Sequence, residues 1–361
     1  MNPQPWTLDP TSQRVALHLL RRGPASRAEL CRELDLSSAS LTRLTRPMIA
    51  RGLVRQGAPV APATTGRPSL PLSLDADCAR FVGVKIVTGA LHVVLTDLRG
   101  TVLDSTTVTA ELPTPQQAAD EVAAVVEAWR KHRPVGVGIS LGASVNADQT
   151  VSGAGFLGWG PSRLGDLVAE QLRLDVVVDN DVNALTVAEH WFGAGRELTD
   201  FQVLTVGMGI GLGVVCNDQM VPGHGGLAGM VDAMRLADAS PAGSWLTTRA
   251  VCDRLGEALQ QQVEPADVAG AGADPRAGAV VRELARRLGN LVGQTSLVTA
   301  PQRVLVTGEG VGLVAAHHDE VVAGIHEVDP GNAVEVVLEE LDFQEWARGS
   351  ACLAIRAHMT R

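Results

Sequence analysis

The sequence predicts an α/β protein headed by a small helical module, and three observations lead there. From Phe81 onward the apolar residues switch repeatedly between the two-residue period of strands and the 3.6-residue period of helices. Gly is abundant at 38 while Trp and Phe number 6 and 5 and Tyr is absent, a composition suited to an Ala/Val/Leu-packed body. Charge also divides sharply, because residues 1–72 hold ten Arg and four acids while the whole chain has a net charge of −10. A length of 361 residues with 45% hydrophobic content allows two or three domains and a sizeable core.

These numbers exclude several classes. The longest apolar run, Val203 to Cys216, contains four Gly and falls short of the roughly 20 residues a membrane-spanning helix needs. Met1 to Pro5 lacks the charged and apolar regions of a signal peptide, so a cytoplasmic protein with no membrane partner is expected. Cys31, Cys78, Cys216, Cys252 and Cys352 are scattered and form no CxxC pair, which predicts free thiols and no metal site. The acidic total argues against a protein that coats nucleic acid, and the scarcity of aromatics against a base-stacking single-strand binder. A compact basic head on an acidic body suits local attraction to duplex phosphates.

Within the head, Val15, Leu19 and Leu20 lie on one face of a helix from Thr11 to Arg22 that stops at Gly23-Pro24. Ser26 with Glu29 forms a capping-box pattern for a second, short helix carrying Leu30 and Leu34. Ser37 or Ser38 caps a third helix with Leu41, Leu44 and Met48 inward and Ser38, Ala39, Ser40, Thr42 and Arg43 outward. Pro47 predicts a kink or an early end of that helix. Leu53 to Arg55 and Ser69 to Leu74 read as two strands joined by a loop holding Gly66, Arg67 and Pro68. The whole reads as a winged helix-turn-helix over residues 1–75. The surface expected to meet DNA comprises Ser37, Ser38, Ser40, Thr42 and Arg43 in the major groove, with Gly66, Arg67 and Pro68 at the minor groove. An ordinary packing module is the alternative, but caps, turn, polar face and charge agree over one contiguous segment.

The body begins with strands Phe81 to Ile86, Leu91 to Asp97 and Thr101 to Thr109, a helix Pro115 to Lys131 and a strand Val135 to Ser140. Val176 to Ala184 reads as a strand running into a polar turn, Asp179-Asn180-Asp181, before a helix Leu185 to Phe192. Val203 to Val215 alternates apolar residues with Gly, as in a hairpin whose backbone is closely approached.

The chain resembles the ROK family (repressor, open reading frame, kinase). In the head the resemblance rests on Leu36-Ser37, Leu41-Thr42-Arg43, Gly52-Leu53-Val54 and Gly66-Arg67-Pro68. In the body it rests on Asp97 to Gly100, Asn180 to Ala184, Gly209 to Gly213, Gly223 to Gly229, Leu305 to Gly310 and Arg348 to Ala351. It implies an actin-like ATPase body of two α/β lobes around a cleft. The first lobe is expected over 79–195, completed by the C-terminal helix 344–361, and the second, for dimerisation and sensing, over 196–343.

The resemblance also implies which ligand positions are altered. Family kinases carry an Asp and a Gly-Gly-Thr turn for ATP phosphates, where this chain has Gly83 to Thr88 with Lys85 in place of the Asp. Met230 stands where a sugar-binding Glu is expected, Ala233 where a His is, and Leu246 roughly where another Glu is. The cysteine-rich zinc segment is replaced by Ala237 to Leu246, so no metal and no cofactor are expected. Asn180 and Asp181 match the family's sugar-contacting Asn and catalytic Asp, with helix capping the favoured reading of the pair. Asn180, Asp181, Met230 and Ala233 are the candidate effector-pocket residues. The expectation is a non-enzymatic transcriptional regulator, a repressor that binds a palindromic double-stranded DNA operator as a homodimer or tetramer. The alternatives are a regulator sensing a carbohydrate-related or other small-molecule effector in an atypical pocket and, more distantly, a sugar kinase with an appended head.

Overall fold

The computed structural model describes residues 8–59 and 70–360. Helix α1 (Pro10–Arg22) starts at an Asp9 cap whose carboxylate accepts from the Thr11 and Ser12 amides, and Gly23 ends it at φ +92°. Helix α2 (Arg27–Leu34) has the Ser26/Glu29 capping box, with both reciprocal bonds formed. Asp35, left-handed at φ +53°, turns the chain into α3 (Ser38–Ala50), which Ser37 caps through the Ser40 amide. Strands β1 (Val54–Gln56) and β2 (Leu72–Leu74) pair antiparallel, Val54 opposite Leu74. Val15, Leu19, Leu30, Leu41, Met48, Leu53 and Leu72 are fully buried and form the head's core.

Two expectations about the head need correction or fall outside this description. α3 does not end early at Pro47 but continues to Ala50. The proline sits on the exposed face in the last turn, and its carbonyl still accepts from the Arg51 amide, so only one helical donor is lost. Gly66, Arg67 and Pro68 lie outside the described residues.

The chain divides into two compact units, residues 1–197 with 346–361, and residues 198–345. In the first, β3 (Arg80–Val87), β4 (Ala90–Asp97), β5 (Val102–Thr109), β6 (Gly136–Leu141) and β9 (Asp175–Asn180) form a sheet in the order β5-β4-β3-β6-β9. Two short strands, β7 (Ser144–Val145) and β8 (Val151–Ser152), make a separate hairpin after β6. β3, β4 and β5 pair antiparallel, whereas β3, β6 and β9 run parallel. Helices α4 (Pro115–Ala128) and α5 (Leu164–Leu172) close one apolar cluster on Val82, Val84, Ile139 and Val178. Helix α6 (Asp181–Phe192) starts four residues earlier than the sequence predicts. Asn180 is its N-cap, so of the polar stretch read as a turn Asp179 and Asn180 end β9 and Asp181 opens the helix.

The second unit repeats the strand order. β10 (Phe201–Val206), β11 (Ile210–Cys216), β12 (Gln219–Met220), β13 (Arg303–Thr307) and β14 (Glu335–Leu338) form the sheet β12-β11-β10-β13-β14, again an antiparallel meander joined to parallel strands. Its helices are α7 (Gly243–Leu246), α8 (Thr248–Leu259), α9 (Val268–Gly272), α10 (Gly278–Thr299), α11 (Val311–Val314) and α12 (His318–Val328). The C-terminal helix α13 (Phe343–Met359) lies on the first sheet from Trp346 onward. It packs backbone against backbone there, since a Cβ at Gly138 would fall 1.7 Å from the Ser350 carbonyl oxygen and one at Gly83 2.0 Å from that of Ala347.

Candidate functional site

The outward face of α3 gathers the residues the sequence selects for DNA. Ser37, Ser38, Ala39, Thr42 and Arg43 are exposed and Ser40 is half-buried. Their hydroxyls are already organised: Ser37 Oγ donates to Ser40 Oγ at 3.0 Å, and Thr42 Oγ1 donates to the Ser38 carbonyl at 2.8 Å. Arg46 is also exposed, one turn beyond Thr42, a position the inward-facing pattern of Leu41, Leu44 and Met48 leaves on the same face. Sequence reading missed it by concentrating on the first two turns. Arg43 shares its charge with Asp9, whose carboxyl is held below its ordinary value first by the Ser12 hydroxyl and amide, with Arg43 contributing. Arg55, by contrast, is committed to Asp75 at 2.5 Å.

The head is held on the body of the first unit by polar contacts from α1. Arg21 Nη2 lies 2.9 Å from Nε2 of His190 near the end of α6. A guanidinium only donates, so Nε2 accepts and the imidazole proton sits on Nδ1. Arg196 Nε donates to the Arg21 carbonyl, and Gln13 Nε2 donates to the Met359 carbonyl at the end of α13 (2.8 Å). Glu189, buried, orders this corner by accepting from the Ala194 amide at 2.8 Å.

At the other end of α6 lies the stretch where the resemblance implies a phosphate turn. Here β3 continues unbroken through Val84, Lys85 and Ile86, all buried, and reverses only at Thr88-Gly89, with Gly89 at φ +76°. Lys85 Nζ is bonded to Asp181 Oδ2 and stands 5.2 Å from the centre of the Trp346 ring. Asn180 is engaged at both ends of its amide: Oδ1 accepts from the Val182 and Asn183 amides, and Nδ2 donates to the Ala143 carbonyl at 3.1 Å. The neighbouring Asp179 accepts from Asn183 Nδ2 at 2.8 Å, and burial raises its carboxyl above the ordinary range despite that bond and the Arg356 charge.

The remaining pocket candidates belong to the second unit. Met230 and Ala233 are exposed, and the loop before them is pressed onto β11, where the Leu212 amide donates to the Gly229 carbonyl at 2.9 Å. Leu246 is buried in the apolar cluster of that unit. The segment Ala237 to Leu246 is fastened by side chains: Asp238 pairs with Arg287 at 2.8 Å, and the Trp245 ring lies between Arg254 and Arg287, each guanidinium 3.5 Å from its centre. The Ser240 hydroxyl and amide, then Arg287, hold the Asp238 carboxyl well below the usual range. Among the described residues no three His, Cys, Asp or Glu side chains converge on a point suited to a metal. Glu309 adds an exposed carboxylate near the Gly207 turn of the hairpin and accepts from Thr248 Oγ1 at 3.3 Å.

Comparison with known proteins follows the same lines. Residues 81–356 match the ROK family. A relative described as Transcriptional regulator Mb0495, from Mycobacterium bovis, is 30% identical over 205 residues, which is 54% of this chain and 46% of that protein. The match thus spans about half the length of that relative. The DNA-binding transcriptional dual regulator NagC of Escherichia coli is 24% identical over 321 residues, 80% of this chain and 77% of its own. Among solved structures, a ROK family transcriptional regulator described as a homolog of the E. coli MLC protein superposes with a TM-score of 0.80 at 22% identity, covering 96% of this chain and 95% of that one. At this identity the likeness is one of fold.

Proposed function

The chain belongs to the ROK family, and from that premise we propose that it is a DNA-binding transcriptional regulator, a repressor, with no enzymatic activity. The observation that carries the reading is α3. It is a capped helix following a tight turn, exposed along Ser37, Ser38, Thr42, Arg43 and Arg46, in a segment of net charge +6 on a chain of net charge −10. The excess cation sits where phosphates would be met, and the acidic remainder limits indiscriminate coating of DNA. Ser38, Ser40, Thr42 and Arg43 would read base edges in the major groove, with Arg67 in the adjacent minor groove. A dimer would place two such helices about one helical turn apart on a palindromic operator.

Phosphoryl transfer is not expected, because the groups it needs are otherwise engaged. Asp181 is bonded to Lys85, the backbone of β3 offers strand pairing rather than a bare-amide cradle, and Glu309 places a carboxylate beside the Gly207 turn. Asn180 and Asp181 serve in this reading to start α6, and a ligand at Met230 and Ala233 would meet side chains without the hydrogen-bonding capacity a sugar requires. A cytoplasmic location accompanies the reading.

The test is selection from a random duplex library with the full-length protein, followed by anisotropy at several salt concentrations. A recovered inverted repeat, bound more weakly as salt rises and more weakly by R43A, is the expected result. Recovery of no sequence, or phosphate release from ATP with any member of a sugar panel, contradicts it.

A further inference from the structure

The contacts of the first unit fall at the two ends of two helices. At their N-terminal ends, Asp181 opens α6 and Trp346 lies in the first turn of α13, and Lys85 touches both. At their C-terminal ends, His190 of α6 meets Arg21 and the Met359 carbonyl of α13 accepts from Gln13, both donors on α1 of the head. The helices, about 18 and 25 Å long at 1.5 Å per residue, are packed so closely between these ends that a Cβ on Gly349 would lie 3.0 Å from the Ala184 carbonyl carbon. α13 is further bolted to β6 by the Ser140–Ser350 hydroxyl bond at 2.7 Å. Two close-packed helices joined in this way form one rigid block, and the block ends on the head.

We propose that the Lys85 side chain is a tethered stand-in for a ligand: by bridging the starts of α6 and α13 it sets where α1, and with it the DNA-reading head, is held, so that head placement needs no small molecule. Lys85 and Asp181 are then positioning residues for DNA binding. This rests on the DNA-binding reading above and deepens it by giving the regulator an effector-independent resting state. The chemistry is suited to the role. An ammonium on a four-carbon stem brings its own positive charge to Asp181 and its own apolar surface to the space beneath Trp346, which is how a small organic cation would satisfy the same groups.

The experiment uses the full chain. K85A removes three carbons and the ammonium, which n-propylammonium can replace, and K85M/D181N removes both charges without leaving a lone buried one. Hydrogen exchange of the α1 amides, read against those of β6, reports head placement, and anisotropy on a duplex selected by the wild type reports DNA affinity. In both variants α1 exchange accelerates relative to β6 and DNA affinity falls, each by about tenfold. n-Propylammonium, with sodium chloride as the ionic-strength control, reverses the change in K85A only. Unchanged α1 exchange in both variants overturns the proposal, as does equal acceleration in α1 and β6 without rescue, which would make Lys85 a general staple of the fold. A wild type that selects no duplex sinks the DNA-binding reading instead, while α1 exchange still decides whether Lys85 places the head.

Discussion

Asn180 uses both ends of its amide inside the fold, capping α6 and holding the Ala143 carbonyl, which is why its presence in a family motif carries no sugar site by itself. N180A should lower the stability of the first unit by about 2 kcal/mol, the upper range for loss of a helix cap, measurable by urea denaturation. Cys78 illustrates burial at the same scale. Its thiol is pushed up to about 12, first by desolvation and then by the Asp75 carboxylate. Iodoacetamide at pH 8 should therefore spare Cys78 in the native protein and modify it after unfolding, with mass mapping of the alkylated peptide as the readout. Asp9 and Glu29 have carboxyls lowered in the folded head, chiefly by the Ser12 hydroxyl and the Ser26 amide respectively. Because the folded values lie below the unfolded ones, this stabilisation is present above about pH 4 and is lost as pH falls further. E29Q removes this contribution, so it should lower the melting temperature at neutral pH and flatten the acid limb of its pH profile, whereas an unchanged limb would show that the carboxylate contributes nothing.

Elements meet in this molecule through bare backbone. The α10 and α12 pair is the clearest case, since a Cβ on Gly289 would lie 1.9 Å from the Val321 carbonyl oxygen, and one on Gly324 1.9 Å from that of Arg286. Neither neighbour is a flexible side chain, so relief requires separating the helices. G289A and G324A should each destabilise the second unit by about 3 kcal/mol, read as a fall in melting temperature. The helical and strand periods of these segments are visible in sequence, but which Gly marks a turn and which a contact is not. Gly89 and Gly308 have positive φ, whereas Gly138 and Gly289 have ordinary backbone angles and are required only because another element lies against them. For the same reason α6 starts earlier than its apolar pattern suggests: Asp179, Asn180 and Asp181 look like a turn until the bonds of the Val182 and Asn183 amides to Asn180 Oδ1 make Asn180 the cap.

Over the whole molecule, positive charge is concentrated in the head, and side-chain staples hold the body segments where the family resemblance implies ligands. The contrast between a head of +6 and an acidic remainder predicts that DNA affinity falls steeply with salt and that R46A lowers the salt slope by about one if Arg46 meets a phosphate. The segment Ala237 to Leu246 is tied down by the Arg254–Trp245–Arg287 stack and the Asp238–Arg287 pair. W245A should accordingly destabilise the second unit by about 2 kcal/mol, whereas dialysis against a strong chelator should leave the melting temperature unchanged. A chelator-induced fall would show that a metal holds this segment after all.

The amino-acid sequence by itself determined the local half of this protein: three head helices with caps for the second and third, strand and helix periods in the body, the outward face of α3, and the substitutions at 85, 230, 233 and 246. The caps, periods and outward face follow from turn chemistry and periodicity, which act over a few residues, whereas the altered positions 85, 230, 233 and 246 are legible only against the family resemblance. Tertiary structure alone decided what the substitutions do. That Lys85 answers Asp181, 96 residues away, that Trp245 is stacked between guanidiniums, and that Arg21 and Gln13 of the head reach His190 and Met359 all depend on long-range register. A polar or charged side chain declares its need for a partner in the sequence, but the fold chooses the partner, because only packing brings distant segments within bonding distance.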